Sequence, residues 1–206
     1  MNDLPRIHPG DADRGEIEIL EQHVVWSNSM IRVCSDRVRF PAKGDDRPVV
    51  GDQFRIRQAT GVLDGVMIAP ITPAHELLLV HLFRHPARMW MREFPRGGCE
   101  GEESPEQAAR RELSEELGCH AARLISLGRV APDSGQFEGV PYLFAALIDA
   151  RGERQEEATE AIDGTCGYTY RALKAACIDG EILDALTICA VLRLERYFEG
   201  DRFIAP

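Results

Sequence analysis

The sequence predicts an α+β fold, with a small antiparallel strand subdomain followed by a larger domain that interleaves strands and helices. Three observations carry this expectation. Residues 16–60 are short apolar runs broken by turn residues, with no helical period. Residues 106–117 run free of Gly and Pro between Pro105 and Gly118, the pattern of a helix that Pro opens and Gly closes. Residues 182–198 place Ile182, Leu186, Cys189, Leu192 and Tyr197 near one side of a second, longer helix. At 206 residues the chain can bury one good core with a small appendage.

Taken in order, residues 1–15 are polar and read as a flexible N-terminal arm. Ile17-Glu18-Ile19 alternates, Val24-Val25-Trp26 is apolar, and residues 30–33 and 38–40 read as further strands, with Asn28-Ser29 and Ser35-Asp36 as turns between them. Residues 41–48, with Lys43-Gly44-Asp45-Asp46, suit a hairpin into a strand at 49–57. A sheet this small has limited burial of its own, so it is either layered on the main domain or shared with another subunit. Strands follow at 65–71, 76–83, 89–94, 121–130 and 140–148. Residues 164–167 read as a break before a short helix at 168–177. The expected division is an arm at 1–15, a strand subdomain at 16–60 and a main domain at 61–206.

Chemistry concentrates in residues 97–119. At 3.6 residues per turn, Glu112, Glu115 and Glu116 stand at i, i+3 and i+4 on one helix face. Like charges so placed are destabilising unless a cation neutralises them. Their hard oxygens suit Mg²⁺ or Mn²⁺, above all where substrate phosphates complete the shell. The segment holds seven Glu against two Arg, a negative field that favours a bound cation. The same triplet is also the composition of a solvated acidic helix face.

The order Gly97, five residues, Glu103, seven residues, Arg111, Glu112, Leu113, one residue, Glu115, Glu116, one residue, Gly118, Cys119 resembles the signature of the Nudix hydrolases. The resemblance implies a Nudix-type α/β/α sandwich on a mixed sheet. It also implies magnesium or manganese held by Glu112, Glu115 and Glu116, and an ion pair of Glu103 with Arg111 that holds the loop against the helix. Glu93, Pro95 and Gly97 match the family's Glu-x-Pro-x-Gly segment, whose residue between Pro and Gly, here Arg96, gives a metal its backbone carbonyl in related pyrophosphatases; a small residue is usual there. Ile182, Asp184 and Thr187 match a motif common in the closing helix.

The N-terminal strands resemble the ADP-ribose pyrophosphatase branch, which implies a homodimer whose subdomain crosses to the partner. Trp26 is then an interface or base-stacking residue, or else a core anchor. The loop at 131–135, with Ser134, resembles one that approaches substrate. Arg84 offers a planar fork for phosphate or ribose, and Glu93 is expected among the substrate-binding residues. His81 and His85 are weaker candidates for a general base, since water activated by a metal needs little help from histidine. Glu156, Glu157 and Glu160 are positioned for a late catalytic carboxylate, Glu157 being the first choice.

A formal charge of −10 argues against nucleic acid as the main partner. No apolar run approaches the roughly 20 residues that cross a bilayer. The six cysteines never form CxxC, which suggests a reducing cytoplasm and small core or surface side chains. The implied function is divalent-metal-dependent hydrolysis of the diphosphate linkage of a nucleoside diphosphate derivative, with ADP-ribose giving AMP and ribose 5-phosphate. NADH, nucleotide sugars and dinucleoside polyphosphates need the same metal chemistry. The alternative is a catalytically inactive or weakly active nucleotide-binding regulatory module, because a fold does not fix a function.

Overall fold

The computed structural model describes residues 8–44, 46–59, 65–151 and 161–198, with 150 and 151 by backbone alone. These residues form two compact units. The first holds the N-terminal strands together with Asp133–Gly139; the second holds the remainder from residue 65 on.

In the first unit, β1 (Glu18–Glu21), β2 (Val24–Ser27), β3 (Ile31–Phe40) and β4 (Val49–Gln58) make one antiparallel sheet. The long β3 pairs with β4 along its length, from Ile31 opposite Gln58 to Phe40 opposite Val49. Its other edge takes β1 beside Arg37 to Arg39 and β2 beside Arg32 to Cys34. Ser35-Asp36 is therefore no turn. It lies mid-strand opposite Phe54 and Gln53, and the strand alternation that buries Cys34 and Val38 carries Asp36 inward with them. Burial is open to Asp36 because Arg55 Nε donates to its Oδ2 at 2.7 Å.

The second unit is built on a seven-stranded mixed sheet of order β11-β6-β5-β10-β9. Its strands are β5 (Gly65–Ile71), β6 (Glu76–Arg84), β7 (Met89–Glu93), β8 (Arg96–Gly98), β9 (Cys119–Arg129), β10 (Tyr142–Arg151) and β11 (Ile162–Thr169). β5 and β10 run parallel and the other pairs antiparallel. β5 and β6 meet only at Ile71 and Leu77, so they splay apart. β8 fills the fork along β5, and β7 along β6.

Helix α1 (Pro105–Leu117) packs on β5, β8, β9 and β10. Helices α2 (Tyr170–Ile178) and α3 (Ala185–Phe198) pack beside each other, α2 on β6 and β11, and α3 on β5, β9 and β10. The result is a mixed α+β sandwich, a central sheet flanked by helices. With helices on its faces, β5 is buried from Val66 to Ile71 without alternation. Met67, Ala69, Ile71, Leu77 and Leu79 form the core with Leu173, Leu186, Ala190, Val191 and Leu194.

Two expectations change here. Residues 164–167 are strand, because β6 supplies an unbroken antiparallel ladder from His81 to Glu76 that overrides the glycines. The helix waits for Thr169, whose hydroxyl accepts from Ala172 N at 3.2 Å as its N-cap. On α3 the buried face is Leu186, Thr187, Ala190, Val191 and Leu194, and Leu192 is 67% exposed. Six positions from Leu186, at 100° per residue, Leu192 falls on the far side of the helix.

Candidate active site

α1 is fixed at both ends before any chemistry is added. Ser104 accepts from Gln107 N at 3.2 Å while the Gln107 side chain accepts from Ser104 N at 2.8 Å, a closed capping box, and Pro105 occupies the first turn. Gly118 at φ 60 ends the helix in the left-handed conformation that glycine adopts without strain. Between them Leu113, Ala109 and Leu117 face the sheet, and Glu112 and Glu116 are buried with them.

A single guanidinium holds the acidic face. Arg111 Nη1 donates to Glu112 Oε1 and to Glu115 Oε2, both at 2.8 Å. Its Nε donates to Glu103 Oε1 at 3.1 Å, and its Nη2 to Glu103 Oε2 at 3.2 Å and to the Gly98 carbonyl at 2.7 Å. Although burial acts against its charge, the bonds and charges of Glu103, Glu112 and Glu115 hold its pKa above that of an ordinary arginine. The hydrogen bond from Arg111 in turn lowers Glu103 below its usual 4.5, against a smaller opposing effect of burial and with help from the peptide of Glu100.

β8 presets the remaining carboxylates. Arg96 N donates to Glu116 Oε1 at 3.0 Å. Glu112 lies over Gly97, where a Cβ would fall closer than 3.0 Å to its carboxylate, so only glycine leaves that space. Beside them Glu93 is fully buried between Arg84, whose Nη2 lies 2.7 Å from Glu93 Oε2, and Arg96, whose Nη2 lies at 2.9 Å from the same oxygen.

This arrangement has relatives. A NUDIX domain is matched over residues 62–186, more than half of the chain. The chain belongs to the NUDIX family. It is 27% identical over 186 residues to the ADP-ribose pyrophosphatase of Bacillus subtilis (strain 168), a match covering 87% of this chain and 93% of that protein. Its fold is similar to the crystal structure of ADP compounds hydrolase, with a TM-score of 0.73 at 21% identity over 90% of this chain and 96% of the other.

Nudix proteins typically bind a divalent metal, and the donors here can be tested for one. Among the described residues no group of three or more His, Cys, Asp or Glu is arranged to hold a metal ion. Arg111 donates to oxygens of both Glu112 and Glu115. The donor type nevertheless fits: Glu103, Glu112 and Glu115 gather hard oxygens around the Arg111 guanidinium, and Glu116 lies one helical turn on from Glu112. Arg111 is thus the common partner of Glu103, Glu112 and Glu115.

Of the residues expected from sequence, Glu103, Arg111, Glu112, Glu115, Glu116, Arg96, Glu93 and Arg84 all lie in this second unit, on α1, the loop before it, β8, β7 and β6. Trp26, on β2, and Ser134, in Asp133–Gly139, belong to the first unit. Trp26 is 52% exposed, which excludes the core-anchor role. Ser134 lines a cavity of about 270 Å³ with Ile17, Asp36, Phe54, Arg55 and Phe137. Glu157, with Glu156 and Glu160, lies outside the described residues. His81 contacts Asp163 and stacks on Trp90, and His85 bonds Arg88.

Sequence reading missed the part played by the side chain of Arg96 and by Asp184. Arg96 Nη1 reaches Asp184 Oδ1 at 2.9 Å, and Asp184 Oδ2 accepts from the Thr187 amide and hydroxyl at 2.8 Å each. Thr187 Oγ1 in turn accepts from Phe94 N at 3.1 Å. The signal was present in Asp184 three residues before Thr187, the spacing of a helix N-cap.

Proposed function

We propose that this protein is a divalent-metal-dependent hydrolase of the diphosphate linkage in nucleoside diphosphate derivatives, with ADP-ribose as its substrate and AMP and ribose 5-phosphate as products. The observation that carries the reading is the acidic face of α1, with Glu112 and Glu116 preset by β8 and Arg111 gathering the rest. Likeness to an ADP-ribose pyrophosphatase over most of both chains supports the choice of substrate.

In this reading Glu112, Glu115 and Glu116, with the backbone carbonyl of Arg96, would hold Mg²⁺ or Mn²⁺. A divalent ion there supplies neutralisation of phosphate charge and activation of the attacking water. Arg111 keeps the carboxylates ordered before loading, and Glu103 keeps Arg111 in register with the loop. Arg84 meets the substrate's phosphates or ribose, its fork already oriented by Glu93. Glu157 is retained as the late carboxylate, and Trp26 and Ser134 as substrate contacts.

The exposed apolar side chains of the first unit support a homodimer: Val25 52%, Trp26 52%, Met30 72%, Val49 64% and Phe137 50%. Light scattering at micromolar concentration would read twice the 23.0 kDa chain mass if this holds, and the chain mass itself if it does not. None of the six cysteines, all of them described, is joined in a disulfide, which supports a reducing cytoplasm. No described helix is long and apolar enough to cross a membrane.

One feature favours a second reading, a nucleotide-binding module without turnover: Arg111 already satisfies Glu112 and Glu115. A substrate panel separates the two. ADP-ribose, NADH, UDP-glucose, GDP-mannose, diadenosine polyphosphates and dNTPs are offered with Mg²⁺ and with Mn²⁺, and products are identified by chromatography. Selective release of AMP from ADP-ribose supports the hydrolase. Binding without turnover in excess metal supports the module.

A further inference from the structure

Arg96 stands where the family's Glu-x-Pro-x-Gly segment has a small residue, and its side chain is spent neither on solvent alone nor on the carboxylates of α1. Its guanidinium forks between Glu93 Oε2, at 2.9 Å from Nη2, and Asp184 Oδ1, at 2.9 Å from Nη1. Glu93 is 0% exposed and its Oε2 is shared with Nε and Nη2 of Arg84 at 3.0 and 2.7 Å. The chain of contacts is therefore Arg84, Glu93, Arg96, Asp184 and Thr187, ending on the buried amide of Phe94. Two guanidinium groups balance two carboxylates along it.

We infer that Arg96 is a positioning residue that lets Arg84 turn towards an anionic substrate without stranding Glu93. The physical argument concerns a buried charge. A carboxylate taken fully out of water must keep a cation beside it, and removing its last partner is strongly destabilising. With Arg84 alone, Glu93 would pin that guanidinium and each donor lent to a phosphate would weaken the neutralisation of Glu93. With Arg96 as a second cation, held from behind by Asp184, Glu93 stays neutralised while Arg84, its side chain 26% exposed, shares its donors. The same residue also presets Glu116 through its peptide N–H. One strand position thus joins substrate binding to the acidic face of α1. This role rests on the diphosphate-hydrolase reading only for the identity of the anion.

The test compares Arg96→Met, which keeps length without charge, with Arg96→Lys, which keeps charge without the fork. On ADP-ribose with Mg²⁺, Arg96→Met raises KM by roughly tenfold while kcat stays within about threefold, and Arg96→Lys recovers most of the loss. A merely structural role would lower the folded fraction and kcat in proportion and leave KM alone. If Arg96→Met does not fold, Arg96→Gln replaces it with the same expectation.

A readout independent of turnover is the solvent exchange of the Arg84 Nε–H by NMR in the substrate-free protein. It slows in Arg96→Met, because Glu93 then turns wholly to Arg84. An unchanged KM, or an unchanged exchange rate, overturns the inference. Failure of the hydrolase reading shows separately, as absent turnover by the wild-type chain, and the exchange rate then decides the role of Arg96 by itself.

Discussion

The carboxylate of Glu112 occupies the space that a side chain on Gly97 would need. Because the clash is with the end of a side chain and not with backbone, Gly97→Ala moves Glu112 and leaves β8 in place. The expected result is a folded protein, destabilised by no more than about 1 kcal/mol. The Mg²⁺ concentration for half-maximal turnover rises by roughly tenfold or more. Urea unfolding and a metal titration measured side by side check the pair. Equal losses in both would mean that Gly97 serves the fold alone.

Arg111 ties Glu103, Glu112 and Glu115 to one point, and Arg111→Ala leaves those carboxylates facing one another. The site is partly exposed, so the cost to stability is discounted to about 1–2 kcal/mol. Activity falls further than stability, because the loop before α1 loses its tie to Glu103 and to the Gly98 carbonyl. Added Mg²⁺ returns part of the lost stability, since a divalent cation replaces the missing charge. Thermal melts with and without Mg²⁺, set beside turnover, read this; full turnover in Arg111→Ala would remove the role.

Glu103 gives the account a pH dependence with a defined sign. Its pKa is lowered in the folded chain, so its contribution is complete above the ordinary carboxylate value and disappears as pH falls through the folded value. Wild type and Glu103→Gln should therefore differ in urea stability near neutral pH and converge in acid, below the lowered folded value. A difference that persists or grows in acid would contradict the assignment.

Thr187 is fully buried, accepts from Phe94 N and donates to Asp184. Thr187→Val keeps the shape and strands a buried amide, at a cost of about 1–3 kcal/mol. Chemical denaturation measures it. A neutral substitution would show that another acceptor reaches Phe94 N.

The sequence spoke most clearly where local chemistry and tertiary structure agree. Pro105 and Gly118 mark the ends of α1 in the sequence, to which the structure adds the Ser104–Gln107 capping box, and the spacing of Glu112, Glu115 and Glu116 is a property of any helix. The pair of Glu103 with Arg111 was legible as well, though not that Arg111 would reach Glu112 and Glu115. What escaped was set by partners distant in the chain. Asp36 passes for a turn residue until Arg55 is beside it, Gly164 and Gly167 for a break until β6 is, and Leu192 for core until the neighbours of α3 are known. The side chain of Arg96 was overlooked for the same reason: its partner Asp184 lies 88 residues away.

The most direct test of the central claim is the release of AMP from ADP-ribose as Mg²⁺ is titrated, in the wild type and in Glu116→Gln. The account predicts saturable, metal-dependent turnover that falls by roughly a hundredfold or more in the variant while its circular dichroism stays native. Turnover in Glu116→Gln equal to that of the wild type, or none in the wild type at any metal concentration, would contradict it.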